Sequence, residues 1–192
     1  MASNLKLNLG CGMNHLDGWT NVDNSAACSP DVVHDLEQTP WPWPDSSADA
    51  LRFNHSLEHM GQDTKTFLAI MSEIYRVGRP GAEVEINAPH PRHDSFLYDP
   101  THVRAITPEM LLMFDKEKNE QWVRASAANT PLGLYLSIDL QMIEATMILD
   151  EPYLSQFRSG ELKGDEISQL ARERNNVIAE CRVKLRVRKP AS

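Results

Sequence analysis

A glycine turn and the two acids that follow it limit this chain more than any other feature. Leu5, Leu7 and Leu9 alternate with Lys6 and Asn8, the period of a strand, and Gly10-Cys11-Gly12 then breaks the run. Glycines directly after a first strand let the backbone approach a ligand at the C-terminal edge of a sheet. Asp23 closes the next apolar stretch, Trp19 to Asp23, and Asp35 closes a third, Val32 to Asp35. An acid at the end of the second strand can accept hydrogen bonds from ribose hydroxyls, and a polar side chain after the third can hold an adenine edge. Together these make a nucleoside site. A dinucleotide fingerprint needs a further glycine at position 15, where His15 stands, and an acid roughly 20 residues on. Gly12 and Asp23 are only 11 residues apart, with Gly18 between them. No full crossover helix fits there, and with it goes the dipole that would hold a pyrophosphate. The expected ligand is an adenosine without a phosphate tail.

The remaining punctuation is regular. Ala50 to Asn54 reads as a strand. Phe67, Leu68, Met71, Ile74 and Tyr75 fall at helical spacing over Thr64 to Val77, with Gly78 as the stop and Arg79-Pro80-Gly81 as a turn. Glu83 to Ala88 alternates with period two and ends at Pro89. Residues 90–137 carry Pro91, Pro100, Pro108 and Pro131, one amphipathic helix from about Pro108 to Phe114, and a charged turn from Asp115 to Glu120 that should stay solvated. This stretch is too short for its own core and reads as a lid or acceptor-side insertion within one domain spanning 1–192. Leu140 to Leu149 is a strand, Asp165 to Arg174 a helix, and Val177 to Arg188 a long strand. In that last strand Cys181, Val183, Leu185 and Val187 share one face, and Arg182, Lys184, Arg186 and Arg188 share the other.

Composition removes several classes. Nineteen basic against 27 acidic residues leave a net charge of −8, which argues against a protein built to wrap nucleic acid or coat an anionic membrane. Cys11, Cys28 and Cys181 have no metal-type spacing and cannot all pair, which suits a reducing, cytoplasmic setting. No apolar run approaches the roughly 20 residues of a membrane helix, and the N-terminus enters a strand pattern with no signal peptide ahead of it.

S-adenosylmethionine is an adenosine of the expected kind, and here the sequence resembles a known family. Leu7-Asn8-Leu9-Gly10-Cys11-Gly12, Asn21-Val22-Asp23, Asp35-Leu36 with Pro40, and Asp45-Ser46-Ser47-Ala48-Asp49 are similar to the small class I S-adenosylmethionine-dependent methyltransferases of the broad "methyltransferase type 11" group. Leu57-Glu58-His59, Glu73-Ile74-Tyr75-Arg76-Val77, Arg79-Pro80-Gly81 and Asp99-Pro100-Thr101-His102-Val103-Arg104 continue the resemblance. It covers residues 5–108 by motif and 138–189 by strand–helix–strand pattern. It implies a Rossmann-like, mostly parallel sheet of order 3-2-1-4-5-7-6 with an antiparallel last strand and a shortened first crossover. It also implies S-adenosylmethionine as cofactor, with Leu9, Gly10, Cys11 and Gly12 against the methionine part and ribose, and Asp23 and Asn24 at the ribose hydroxyls. Asp35 and Leu36 would frame the adenine, and Asn54, His55 and Ser56 would face the sulfonium. Asn14 departs from the pattern, standing where many relatives carry a third glycine, and so does Gly78-Arg79 before Pro80-Gly81.

Other residues admit two readings. His55, one residue past a strand end, is a candidate base, whereas His59 reads as a buried histidine bonded within its helix. Trp41 and Trp43 should pack beneath the adenine edge. His90, His93, Asp94 and His102 could be metal ligands, but no ligand motif is completed, so no metal is expected. They read better as acceptor contacts over the transferable methyl, with His90 and His93 as further candidate bases. The basic row of the last strand reads as a charge ladder against Glu83, Glu85 and Glu144, with a subunit interface of a homodimer as its rival. The expected activity is methyl transfer to an O- or N-nucleophile of a small-molecule, sugar or natural-product acceptor, with no membrane partner. The alternatives are a non-catalytic S-adenosylmethionine-binding module and a methyltransferase acting on protein or nucleic acid.

Overall fold

The computed structural model describes residues 4–190. Its seven strands are β1 (Leu5–Leu9), β2 (Thr20–Asp23), β3 (Val32–Val33), β4 (Ala48–Asn54), β5 (Gly78–Pro89), β6 (Leu140–Leu149) and β7 (Ile178–Val187). They form one sheet in the order β3-β2-β1-β4-β5-β7-β6. β1 to β5 are parallel, and β7 runs antiparallel between β5 and β6. The topology is the one the resemblance implies.

Alternation along the strands divides the sheet into two unlike faces. Leu7, Leu9, Leu51, Phe53, Val84, Ile86, Val183 and Leu185 point to one face and are essentially inaccessible. That face is covered by α1 (Thr64–Val77), whose Phe67, Ile70, Met71, Ile74 and Val77 are buried at helical spacing. Asp63 caps α1 through the Thr66 amide at 3.0 Å. On the other face β4, β5 and β7 present Arg52, Glu83, Glu85, Arg182, Lys184 and Arg186. Between β1 and β2 there is no helix. Residues 10–19 turn back over the polar face instead, held by Asn8 Nδ2 donating to the Asn14 carbonyl and to Asn21 Oδ1, each at 2.9 Å. Asn14 does not adopt a positive φ, so this turn makes no demand for glycine there.

The expected turn at Arg79-Pro80-Gly81 is part of β5, where the β4–β5 register shifts. Gly78 sits where a Cβ would lie 2.8 Å from Val187 Cγ2, so it is needed for close packing as well as for the helix stop.

Residues 90–137 contain more helix than the single one expected. They hold α2 (Asp94–Leu97), α3 (Pro108–Leu111), a 3₁₀ turn (Leu112–Phe114), α4 (Lys116–Arg124) and α5 (Leu132–Tyr135). Ile106, Leu111 and Phe114 are buried in the main core. The expected charged turn is the start of α4. Lys116, Glu117, Lys118 and Glu120 face solvent, but Asp115 is a buried cap accepting from the Glu117 amide at 3.0 Å. Asn119, also buried, accepts from the Gly133 amide at 2.8 Å. The charges hid a helix whose inward residues are polar. Two further helices, α6 (Tyr153–Ser159) and α7 (Gly164–Glu173), link β6 to β7.

Candidate functional site

The strand order reverses at β1/β4, and in open α/β sheets ligands bind at the C-terminal edge of such a point. A cavity of about 440 Å³ opens there, lined by residues that include Gly10, Gly12, Asp23, Asp35, Leu36 and His55. Gly10 is built for close approach: its φ is +68°, and a Cβ would fall 2.5 Å from Ser56 Cβ. Ser56 is itself pinned, its hydroxyl donating to the Leu9 carbonyl at 2.8 Å. Thus β1 and the end of β4 clamp each other under the glycine turn.

Asp23 has two tasks. Its Oδ2 accepts from the Gly12 amide at 2.8 Å and its Oδ1 from the Ser25 amide at 2.9 Å. The carboxylate therefore shapes the glycine turn, while each oxygen keeps a lone pair for a hydroxyl. Beneath Leu36, Trp41 is buried and donates its Nε1–H to the Leu36 carbonyl at 2.9 Å. Trp43 packs edge-on against His34, with ring centroids 6.2 Å apart, and His34 lines the cavity. The tryptophans support the cavity wall from behind.

Of the residues singled out in the sequence, Gly10, Gly12, Asp23, Asn24, Asp35, Leu36 and His55 meet at the cavity; Leu9, Cys11 and Asn54 are not among its lining residues. Cys11 is buried, and burial with the nearby Asp23 charge pushes its thiol up, so it stays protonated. His90 and His93 are not among the lining residues. His93 caps α2 by accepting from the Ser95 amide at 3.1 Å, and its Nε2 lies 3.0 Å from Asp150 Oδ2. His90 accepts from the Arg92 amide at 3.2 Å. Burial, then Arg92 and His93, hold the His90 imidazole below the ordinary histidine range.

Ser56, expected at the sulfonium, also lines the cavity, whereas His34, Glu37, His59 and Met60 were missed as lining residues. His59 is exposed rather than buried, because Leu57–His59 is a single 3₁₀ turn with no helix interior to hide in. Beside it lies Glu58, whose side chain is only 1% exposed. Neither carboxylate oxygen of Glu58 has a hydrogen-bond partner. Burial raises its pKa to about 7, with Asp99 and Glu180 adding to the rise and the local peptide bond and His102 opposing it. His55 Nδ1 is 3.7 Å from Glu58, and its Nε2 is 3.5 Å from Glu180. His55 also has φ +53°, a strained setting for a side chain of this size.

No family model and no curated protein matches the chain. Solved structures do. A SAM-dependent methyltransferase from Archaeoglobus fulgidus aligns over 95% of this chain and 86% of its own, with a TM-score of 0.60 at 18% identity. The chain carries the class I methyltransferase fold. Phosphoethanolamine N-methyltransferase 2 from Haemonchus contortus, in complex with S-adenosyl-L-methionine, aligns over 98% of this chain and 49% of its own (TM-score 0.55, 15% identity). The [4+2]-cyclase SpnF aligns over 97% and 76% (TM-score 0.54, 14% identity). Relative to a sheet covered by helices on both faces, this class I methyltransferase fold is trimmed: the crossovers β1–β2 and β3–β4 contain no α-helix.

Proposed function

We propose that the chain binds S-adenosylmethionine in this cavity and transfers its methyl group to an O- or N-nucleophile of a small-molecule, sugar or natural-product acceptor. One observation carries the reading: the Asp23 carboxylate is locked to the Gly12 amide at the switch point of the sheet, beside a cavity of about 440 Å³. That volume lies within the usual range for small-molecule and cofactor sites. The residues fit the group. A Cβ built on Gly12 meets nothing within 4 Å, so the turn leaves open space for a ligand against its backbone. Asp23 and Asn24 suit ribose hydroxyls. Asp35, Leu36 and His34 form a wall suited to a flat base. The solved neighbour that holds S-adenosyl-L-methionine supports the same cofactor.

When bound, S-adenosylmethionine supplies an activated methyl group and a good leaving group. The chain's own work is then positioning and exclusion of water. Leu9, Gly10, Cys11 and Gly12 present backbone to the amino-acid and ribose portions, and Asn54 supports the strand end beneath. His55, flanked by two carboxylates at the cavity wall, is the best-placed base for an acceptor hydroxyl or amine. His90 and His93, being committed to local hydrogen bonds, take second place.

Titration calorimetry with S-adenosylmethionine, S-adenosylhomocysteine and NAD tests the cofactor reading. The first two should bind and NAD should not. Asp23→Asn should weaken binding about tenfold or more, the scale of a charge-assisted hydrogen bond, with circular dichroism unchanged. Unchanged affinity would place the site elsewhere. Labelled cofactor with small-molecule and polymer pools then tests transfer, and binding without transfer would favour a binding module. The neighbour named a [4+2]-cyclase makes this second step necessary.

A further inference from the structure

Beside the cavity, three imidazoles surround a carboxylate that the fold leaves without a partner. Among the described residues, the Glu58 carboxylate and one ring nitrogen each of His59 and His102 lie within 4.8 Å of one another. His102 Nε2 is 4.0 Å from Glu58 Oε1, and the His102 side chain is only 8% exposed. A fully buried carboxylate with two unpartnered oxygens is costly, and proteins ordinarily satisfy such a group with a donor, a water or a cation. Among the described residues no lysine or arginine is paired with Glu58; its ion-pair neighbours are His55 and His102. Arg104, whose backbone amide donates to the Glu58 carbonyl, sends its guanidinium instead to the Gly61 carbonyl and over the Phe67 ring.

Hydrogen bonds on the far side of both rings hold them ready to ligate. His102 Nδ1 lies 3.0 Å from the Phe96 carbonyl, which can only accept, so Nδ1 carries a proton, and in the neutral ring Nε2 offers the lone pair. His59 Nδ1 is 2.9 Å from Thr101 Oγ1. The Thr101 hydroxyl already donates to Asp99 Oδ1 at 2.6 Å, so it must accept from His59, and His59 Nε2 is left with the lone pair. Metal-ligating histidines characteristically donate their other N–H to a carbonyl or carboxylate relay of this kind. Asp99 adds negative charge, 3.8 Å from His102 Nε2.

We infer that Glu58, His59 and His102 form a binding site for one divalent transition cation of the zinc class. Two imidazoles and one carboxylate are the donor set of open, three-ligand zinc sites and of non-haem iron sites. His59 also lines the cavity, so an open coordination position would face the space proposed for S-adenosylmethionine. Only that last consequence rests on the methyl-transfer reading. Of these three only His102 was weighed as a ligand from the sequence, in a different set, because Glu58-His59 and His102 are separated by more than forty residues and complete no local motif.

The test uses the full chain, stripped with chelator and titrated with Co²⁺ and Zn²⁺ alone. One Co²⁺ should bind per chain with visible d–d absorption of four- or five-coordinate character, and Zn²⁺ should displace it. Glu58→Gln and His59→Gln should each weaken Co²⁺ binding at least tenfold, while His90→Gln should leave it unchanged. His59 is exposed, so its variant reads the site even if Glu58→Gln fails to fold. Absence of a Co²⁺ spectrum, or binding equal in wild type and His59→Gln, would overturn the site. Calorimetry with S-adenosylhomocysteine on the same metal-free sample separates this from failure of the cofactor reading.

Discussion

The two faces of this sheet are made by the same strands, yet they do opposite work. Along β4, Leu51 and Phe53 are buried, and Arg52 between them points to the polar face, where it meets Glu85 at 3.3 Å. Along β7, Val183 and Leu185 are buried, while Lys184 reaches Glu144 at 2.8 Å and Arg186 reaches Glu83 at 3.3 Å. A doubly wound sheet normally buries both faces and reads as continuous apolar runs. Here the strict alternation allows one helical layer to suffice, with paired charges in place of the second. Stability should therefore come almost wholly from the apolar face.

Adjacent residues of β4 give the sharpest break. Phe53→Ala should cost about 3–5 kcal/mol, because it deletes a fully buried aromatic from the centre of the core. Arg52→Ala should cost no more than about 1 kcal/mol, since it removes a partly solvated pair. Denaturant unfolding of both variants checks this. Comparable losses would mean that the polar face carries packing that its exposure does not show.

A smaller effect concerns a polar cluster anchored on α1. Glu73 of α1 accepts from the Trp41 amide at 2.6 Å and pairs with Arg76 Nη2 at 2.6 Å. Burial alone would raise its pKa, but the bonds from Arg76 and Trp41 and the Arg76 charge outweigh it and hold the carboxyl below the ordinary value of 4.5. Because the folded value is the lower one, Glu73 adds stability above the unfolded value, and that contribution is lost as pH falls through the folded value. Glu73→Gln should cost about 1.5–3 kcal/mol at neutral pH. The difference from wild type should shrink below pH 4.5, and thermal melts across pH 3–7 would show it. A constant difference would mean packing rather than charge.

The sequence was most legible where one periodicity dominated. The span Thr64–Val77 coincides with α1, and the alternation from Val177 to Arg188 places the antiparallel strand. It was least legible from Asp115 to Asn119, where a helix buries polar residues and so lacks an apolar stripe. Arg188 was also misplaced: it leaves the sheet face and pairs with Asp115, Glu117 and Asp139. At the site, Gly10, Gly12 and Asp23 were readable because they are local to one turn. Glu58 with His102, and His34 with Trp43, meet only through the fold, so no spacing rule could find them.

The least effect should come from the ladder itself, and it decides what the polar face is for. Arg186 and Glu83 have side chains 45% and 57% exposed, so their pair competes with water at both ends. A double-mutant cycle on Arg186→Ala and Glu83→Ala should give a coupling of about 0.2–1 kcal/mol. At 1 M salt the Debye length is about 3 Å, and the coupling should vanish. Arg182 is likewise engaged, with Glu180 at 2.7 Å, so three successive basic residues of β7 each answer an acid. A row so matched offers a polyanion few uncommitted charges. Binding of DNA or RNA to the wild type should therefore be weak. If affinity instead falls steeply with salt and is lost in Arg182→Ala or Arg186→Ala, the ladder is a binding surface, and the difference between the two faces is one of function rather than of solvation.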